Sequence, residues 1–138
     1  MPTALVIRAP GTNCDTEMVR AFNLAGAART DLAHLDRLIA DPGAIDQYDL
    51  IGFPGGFSYG DDIASGRVFA MRLRERLYAP LAAAVDRGAC IIGACNGFQV
   101  LVQVGLLPGP VGRASSLPSS ASLKPVGQAS SPPSSLPP

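Results

Sequence analysis

Several ingredients of common functional sites are scarce or absent in this sequence. Its 138 residues include one histidine and three cysteines, too few for an obvious zinc site or a disulfide framework. The 11 Lys and Arg residues balance 11 Asp and Glu residues, so nothing implies a general attraction to nucleic acid or lipid head groups. No apolar run is long enough to span a bilayer, and the N-terminus lacks the pattern of a signal peptide. We therefore expect a cytoplasmic protein with free thiols.

The last part of the chain differs in composition from the rest. Residues 114–138 include nine serines and six prolines, and such a segment buries too little apolar surface to offset the entropy lost on folding. The sequence therefore predicts a folded domain over residues 1–109 and a disordered, Ser/Pro-rich tail over residues 110–138.

Short apolar runs alternate with helical patterns along the folded part. This alternation is typical of an α/β fold, a parallel sheet with helices on both faces. A long helical pattern between Ser65 and Gly88 contains Pro80, which predicts a kink or a break there. The predicted strands are Ala4–Arg8, Arg29–Leu35, Leu50–Phe53 and Cys90–Ile92.

Further predictions concern single residues at the ends of these elements. Thr12 and Asn13 offer side-chain caps to the helix after the first strand, and Asn96 offers one to the last helix. We expect Cys14 to pack or cap at a helix start, and Cys90 to lie in the core as part of a strand.

The stretch Gly93–Gly97 carries the strongest chemical signal. It reads Gly-Ala-Cys-Asn-Gly between an apolar strand and an amphipathic helix, which is the nucleophile-elbow pattern G-x-S-x-G with cysteine in place of serine. A strained turn of this kind projects the nucleophile from the strand end, and the helix start stabilises a thiolate. Parallel strands end at one sheet edge, which brings loops 10–13 and 54–62 near Cys95. We therefore predict that Cys95 is a nucleophile toward a carbonyl carbon, rather than a buried strand cysteine.

An acyl intermediate on Cys95 needs hydrogen-bond donors for its oxyanion. The backbone N–H of Asn96 is one candidate, and the Gly55-Gly56-Phe57 loop offers another, because glycines let a backbone approach a ligand closely. An ordinary turn after a strand is the alternative interpretation of that loop. The only histidine, His34, lies near the end of the second strand, where we expect a half-buried or surface residue rather than the base.

Four motifs, in this order along the chain, carry a family resemblance. They are Pro10–Asp15, Pro54–Asp61, Gly93–Gln99 and Gly105–Gly109. From Ala4 to about Gly109 the chain resembles the glutaminase subunits of phosphoribosylformylglycinamidine synthases, which are class I glutamine amidotransferases of purine biosynthesis.

The resemblance implies a flavodoxin-like α/β domain in which Cys95 attacks the side-chain amide of glutamine. A γ-glutamyl thioester forms, and ammonia passes to a large synthetase subunit that uses ATP to aminate formylglycinamide ribonucleotide. The chain itself is therefore expected to hold no cofactor and no metal. The residues implied at the oxyanion and around the bound glutamine are Gly55, Gly56, Phe57, Ser58, Asn96 and Gln99.

The chain departs from the family after Gly109. The family continues with further strands and a His-x-Glu pair that completes the triad, and no such pair follows here. We therefore expect a domain that is incomplete at its C-terminal side and a glutaminase impaired by the missing base. Two alternatives stay open. One is another cysteine-elbow α/β hydrolase, against which the continuation Asn96–Gln99 argues, and the other is a non-catalytic interaction module on a synthetase partner.

Overall fold

A computed structural model describes residues 1–61 and 66–108, so the predicted tail lies outside the described residues. Within these ranges, four strands form one parallel sheet in the order β2–β1–β3–β4. A flavodoxin-like sheet begins with this order, and the predicted α/β fold is confirmed. The strands are β1 (Thr3–Arg8), β2 (Arg29–His34), β3 (Leu50–Phe53) and β4 (Cys90–Gly93).

The α-helices in the described ranges are five in number. They are α1 (Asp15–Leu24), α2 (Leu35–Ala40), α3 (Arg67–Arg76), α4 (Tyr78–Arg87) and α5 (Asn96–Val104). Short 3₁₀ segments cover Pro42–Gln47 and Ser58–Asp61. None of the helices in this part of the chain combines the length and the apolar character that crossing a membrane requires.

Alternation along β1 divides the core into two layers. Leu5 and Ile7 face the larger layer, which is filled by side chains from α2, α3, α4 and α5. Ala4 and Val6 face the opposite side, where α1 packs. All four residues are fully buried, as expected for a central strand that is covered on both faces. Helices therefore lie on both faces of the sheet, as the sequence predicts.

The predicted break in the long helical pattern is present, but it lies at Leu77 rather than at Pro80. Leu77 has φ −126° and ψ 2°, ends α3 and precedes α4. Pro80 is the third residue of α4, where a first turn tolerates the missing N–H. Leu73, Leu77 and Leu81 all stay fully buried, so the break redirects the helix without taking its apolar stripe out of the core.

The predicted side-chain caps are wrong at both helices. Cys14 occupies the N-cap position of α1 and Cys95 that of α5, and neither side chain makes a capping hydrogen bond. The Thr12 hydroxyl instead accepts a hydrogen bond from the N–H of Ala9 at 3.1 Å, which stabilises the turn after β1. Asn96 is the first residue of α5 rather than its cap.

Cys90 is exposed, although the sequence pattern placed it in the core. It shares one face of β4 with Ile92, because side chains alternate along a strand, and Ile92 is 41% exposed. Ile91 points to the other face and packs against the larger core layer. β4 lies at one edge of the described sheet, and α1 covers the face of β1 rather than this outer face of β4.

Asp49 connects the start of β1 to the residue before β3. Its Oδ2 accepts hydrogen bonds from the backbone N–H of Thr3 at 2.8 Å and from the Thr3 hydroxyl at 3.2 Å. These bonds, that from the backbone N–H foremost, lower the pKa of Asp49 below its ordinary value. The charged carboxylate is therefore the form that the folded chain favours.

We expect Asp49→Ala to lower the melting temperature above about pH 4, and this effect to fade as the pH falls further, through the lowered pKa of the folded state. The stabilisation is fully present above the unfolded pKa and is lost as the pH falls through the lowered pKa of the folded state. Thermal unfolding of both proteins between about pH 2.5 and pH 7 measures this difference. Asp49→Asn keeps an acceptor without the charge and serves as the control. A wild-type advantage over Asp49→Ala that persisted unchanged in acid would contradict the assignment.

Candidate functional site

The loops that follow β1, β3 and β4 meet at one edge of the sheet. β3 lies between β1 and β4, and the three strands are parallel, so they end on the same side. The N–H of Cys14 donates to the carbonyl of Gly55 at 3.2 Å, and the N–H of Phe57 to that of Gly11 at 3.0 Å. The loop after β4 bonds to the end of β3 through the N–H of Ala94, at 3.0 Å. The convergence predicted from the sequence is therefore present.

Cys95 stands at the turn between β4 and α5. Its backbone has φ 50° and ψ −112°, a conformation that costs an L-residue free energy and persists only where the surroundings impose it. Its carbonyl accepts a hydrogen bond from the N–H of Gln99 at 3.1 Å, which starts the helix. Its thiol is exposed. The turn thus has the geometry of a nucleophile elbow, with the sulfur at a helix N-terminus.

The two glycines of the elbow pattern allow close packing on either side of Cys95. A Cβ atom at Gly97 would overlap with the backbone carbonyl group of Phe53, so only glycine lets α5 lie this near β3. A Cβ atom at Gly93 would lie 2.7 Å from Cδ1 of Leu101. The spacing of these glycines therefore reflects the packing of the helix against the strand ends.

Gly55 lies directly beside Cys95. A Cβ atom placed on Gly55 would be 3.4 Å from Cβ of Cys95 and 3.6 Å from Sγ of Cys14. The diglycine loop and the elbow, which the sequence linked only by argument, are thus in contact. Cys14 joins them, and the sequence did not predict this neighbour, because Cys14 and Cys95 are 81 positions apart in the chain.

Gly56 and Phe57 differ in what their backbones offer. The N–H of Phe57 already donates to the carbonyl of Gly11, so it is not available for an oxyanion in this conformation. Gly56, at φ 142°, pairs with Thr12 in an isolated bridge, and among the described residues its own N–H donates no backbone hydrogen bond. The Phe57 side chain is 63% exposed beside the site.

Ser58 and Asn96 connect the diglycine loop to α5. Both residues are buried, at 2% and 3% exposure. The Ser58 hydroxyl donates to Oδ1 of Asn96 at 2.8 Å, and the Ser58 N–H donates to the same atom at 3.4 Å. Nδ2 of Asn96 donates to Oε1 of the exposed Gln99 at 3.5 Å. Hydrogen bonds and chain continuity therefore connect four of the predicted site residues, which are Ser58, Cys95, Asn96 and Gln99.

Tyr59 and Arg72 support this loop, and sequence reasoning missed both. Tyr59 has φ 56°, and its N–H donates to the carbonyl of Pro10 at 2.6 Å. Arg72, on α3, donates to the Tyr59 hydroxyl at 2.6 Å and to Asp36 at 2.6 Å. These bonds, that to Tyr59 first, raise the pKa of Arg72, which keeps its charge at any ordinary pH. No local pattern marks Arg72, because its partners come from distant parts of the chain.

His34 is remote from Cys95. It ends β2, and β1 and β3 lie between β2 and β4, so three strand spacings, about 14 Å, separate the two strands. Its Nδ1 accepts a hydrogen bond from the N–H of Asp36 at 3.3 Å, which caps α2. The half-buried, structural role expected from the sequence agrees with this position.

The family of this chain follows from a direct comparison. The model of the CobB/CobQ-like glutamine amidotransferase domain matches residues 1–124. The chain belongs to this glutamine amidotransferase family. The glutamine amidotransferase part of the resemblance inferred from the four motifs is thereby confirmed, whereas the predicted domain boundary at residue 109 stays a prediction.

Named relatives are similar to this chain over most of its length. The subunit PurQ of phosphoribosylformylglycinamidine synthase from Dehalococcoides mccartyi is 47% identical over 107 residues, which are 78% of this chain and 42% of that one. PurQ of Thermotoga maritima is 41% identical over 115 residues, covering 83% and 49%. The solved structure of PurLQS from Thermotoga maritima matches with a TM-score of 0.63 at 38% identity, covering 77% and 45%. The aligned part of the present chain covers less than half the length of each of these relatives.

Proposed function

We propose that Cys95 is the nucleophile of a glutaminase site that takes ammonia from the side-chain amide of glutamine. The observation that carries the proposal is the exposed Cys95 on a strained turn at the start of α5, where a Cβ atom on Gly55 would lie 3.4 Å from Cβ of Cys95. A sulfur in this position can approach a carbonyl carbon from outside while backbone amides face the developing oxyanion.

The proposed reaction has two steps. The Cys95 thiolate attacks Cδ of glutamine, the C–N bond breaks, and ammonia leaves with a proton from the solvent, which gives a γ-glutamyl thioester. Water then cleaves the thioester to glutamate and the free thiol. The N–H groups of Asn96 and Gly56 are the proposed oxyanion donors, and each such donor typically lowers the barrier by about 3 kcal/mol.

The other predicted residues have proposed roles around glutamine. Gly55 leaves room for the amide beside the sulfur, because any side chain there would contact Cβ of Cys95. Phe57 and Gln99 are exposed at the rim and are proposed to contact the substrate. Ser58 is buried, so we propose that it holds Asn96 in place rather than contacting glutamine itself.

The relatives suggest where the ammonia goes. They are named as subunits of phosphoribosylformylglycinamidine synthase, and the matched structure contains PurL beside PurQ. We propose that the whole protein works with a large synthetase subunit, which uses ATP to aminate formylglycinamide ribonucleotide in purine biosynthesis. Its expected location is the cytoplasm.

These 138 residues offer no histidine close enough to Cys95 to act as its base. The only histidine is His34, and it lies about three strand spacings, or 14 Å, from β4. Members of a catalytic triad act as a unit, so the nucleophile alone retains little of the rate. We therefore expect slow acylation of Cys95 and little turnover by this chain on its own.

A diazoketone analogue of glutamine tests the proposal. After incubation with the 138-residue chain, peptide mass spectrometry should find the label on Cys95, and glutamine should compete with it. Cys95→Ser should abolish the labelling. His34→Ala is the matched control: it should be labelled at the wild-type rate, while losing about 1 kcal/mol of stability or less with its cap.

The outcomes separate the candidate functions. A folded protein without label on Cys95 overturns the glutaminase proposal and favours the non-catalytic interaction module. Labelling that glutamine does not compete with favours another cysteine-elbow hydrolase. A slower labelling of His34→Ala would contradict its remote position and make His34 the base.

A further inference from the structure

We infer that Cys14 and Cys95 form a reversible intramolecular disulfide when the protein meets a peroxide. Both thiols are exposed at the same edge of the sheet. The bond blocks Cys95 until a thiol reductant restores it. The inference of the bond is argued from the geometry, whereas its effect on glutamine chemistry rests on the proposed function.

Gly55 lies between the two sulfur-bearing side chains. The Cβ position of Gly55 is 3.4 Å from Cβ of Cys95 and 3.6 Å from Sγ of Cys14. Because both atoms lie that close to one point, they are at most about 7 Å apart. That limit joins Sγ of Cys14 to Cβ of Cys95. In a disulfide the two Sγ atoms are about 2 Å apart, so the bond requires a rotation of both side chains and, towards the upper limit, a shift of the loops.

The fold itself brings these cysteines together. β1 and β4 flank β3, and each cysteine occupies the N-cap position of the helix that follows its strand, α1 for Cys14 and α5 for Cys95. The N–H of Cys14 donates to the carbonyl of Gly55, which holds the loop after β1 against the end of β3. Since Gly55 has no side chain, nothing on it separates the two thiols.

The oxidation proceeds in two balanced steps. The Cys95 thiolate attacks one oxygen of hydrogen peroxide, the O–O bond breaks, and hydroxide leaves while Cys95 becomes a sulfenic acid. The Cys14 thiolate then attacks the sulfur of Cys95, the S–O bond breaks, and hydroxide leaves as the disulfide forms. Both hydroxides take up the protons that the two thiols released and become water. Two thiols have lost two electrons, and the peroxide has been reduced to water.

Cys90 provides an internal comparison. It is also exposed, but it starts β4, so three residues, about 10 Å of strand, separate it from the end at which Cys95 follows. If exposure alone decided which thiols form a disulfide, Cys90 would also take part. If the pairing depends on position at the edge of the sheet, Cys90 should stay unpaired.

Peptide mapping of the oxidised 138-residue chain tests the inference. Trypsin leaves Cys14 in the peptide 9–20, but it leaves Cys90 and Cys95 together in the peptide 88–113, so the experiment uses Cys90→Ser. Hydrogen peroxide is added, free thiols are blocked with N-ethylmaleimide at acidic pH, and the digest is analysed without reduction. We expect the two peptides linked at about 2 Da below their summed mass, because two hydrogens leave, and separated by a reductant.

A variant and a non-reducing gel test whether Cys14 is the partner of Cys95 and whether the disulfide is intramolecular. In Cys14→Ser, peroxide should drive Cys95 to a sulfinic acid that a thiol reductant does not restore. Unlinked peptides with Cys14 still alkylated after Cys95 is oxidised overturn the inference. A linkage found only in disulfide dimers on a non-reducing gel also overturns it.

The diazoketone label keeps the two proposals apart. If the linked peptide forms and the reduced protein takes no label on Cys95, the disulfide stands and the glutaminase proposal fails. If Cys95 takes the label and no linked peptide forms, the glutaminase proposal stands and the disulfide inference fails. If both stand, peroxide should abolish the labelling of the wild type and a reductant should restore it.

Discussion

Replacing Gly97 with alanine is expected to lower the free energy of unfolding by about 2–3 kcal/mol. The added Cβ atom would overlap with the carbonyl group of Phe53 and would lie 2.9 Å from its Cβ atom. These are mainly backbone atoms of a buried strand, so they cannot move aside as a flexible side chain does. Alanine gains about 1 kcal/mol over glycine within a helix, which is too little to reverse the sign.

Denaturant unfolding of Gly97→Ala measures this loss, and Gly43→Ala is the matched control. Gly43 lies in a 3₁₀ segment, and an added Cβ would meet only Oδ1 of Asp41, at 3.7 Å. The control should keep wild-type stability or gain up to about 1 kcal/mol from the restricted unfolded chain. Because α5 must shift to admit the added methyl group, the labelling of Cys95 in Gly97→Ala should slow as well. Equal stability of the two variants would show that α5 can retreat from β3 without cost.

The sequence predicts most of the sheet because its strands obey simple rules. Leu50–Phe53 is a short apolar run stopped by Pro54 and two glycines, and it is a strand with the predicted bounds. The connections between strands then determine which loops share an edge, since parallel strands need crossovers of one hand. The position of Cys95 beside Gly55 is a consequence of that topology and needs no alignment of side chains to predict.

Predictions that depend on tertiary neighbours were less successful. Asparagine is a common N-cap residue, yet the side-chain Oδ1 of Asn96 accepts a hydrogen bond from the hydroxyl of Ser58, 38 residues earlier. The buried serine hydroxyl requires such an acceptor. The apolar neighbours of Cys90 in the sequence predict a core position, whereas the order of the strands shows that β4 lies at an edge of the described sheet. Arg72 is one of many surface arginines by pattern, and its role depends on Tyr59 and Asp36.

Asn96→Ala is expected to destabilise the chain by about 2 kcal/mol, within the usual 1–3 kcal/mol for leaving a buried polar group without a partner. The variant removes the acceptor of both the hydroxyl and the N–H of Ser58, which is 2% exposed and therefore poorly solvated. Ser58→Ala should cost less, about 1 kcal/mol, because the backbone N–H still donates to Asn96.

A double-mutant cycle on these two positions separates the hydrogen bond from the packing of each side chain. If the Ser58–Asn96 contact joins the loop after β3 to the elbow, the double variant should lose about 1 kcal/mol less than the sum of the single losses. The labelling of Cys95 by the diazoketone should slow in all three variants, when measured well below their melting temperatures, because the loop and the elbow no longer hold each other in place. Strictly additive losses, with wild-type labelling rates, would mean that the two residues fill space and that the site is positioned by its backbone alone.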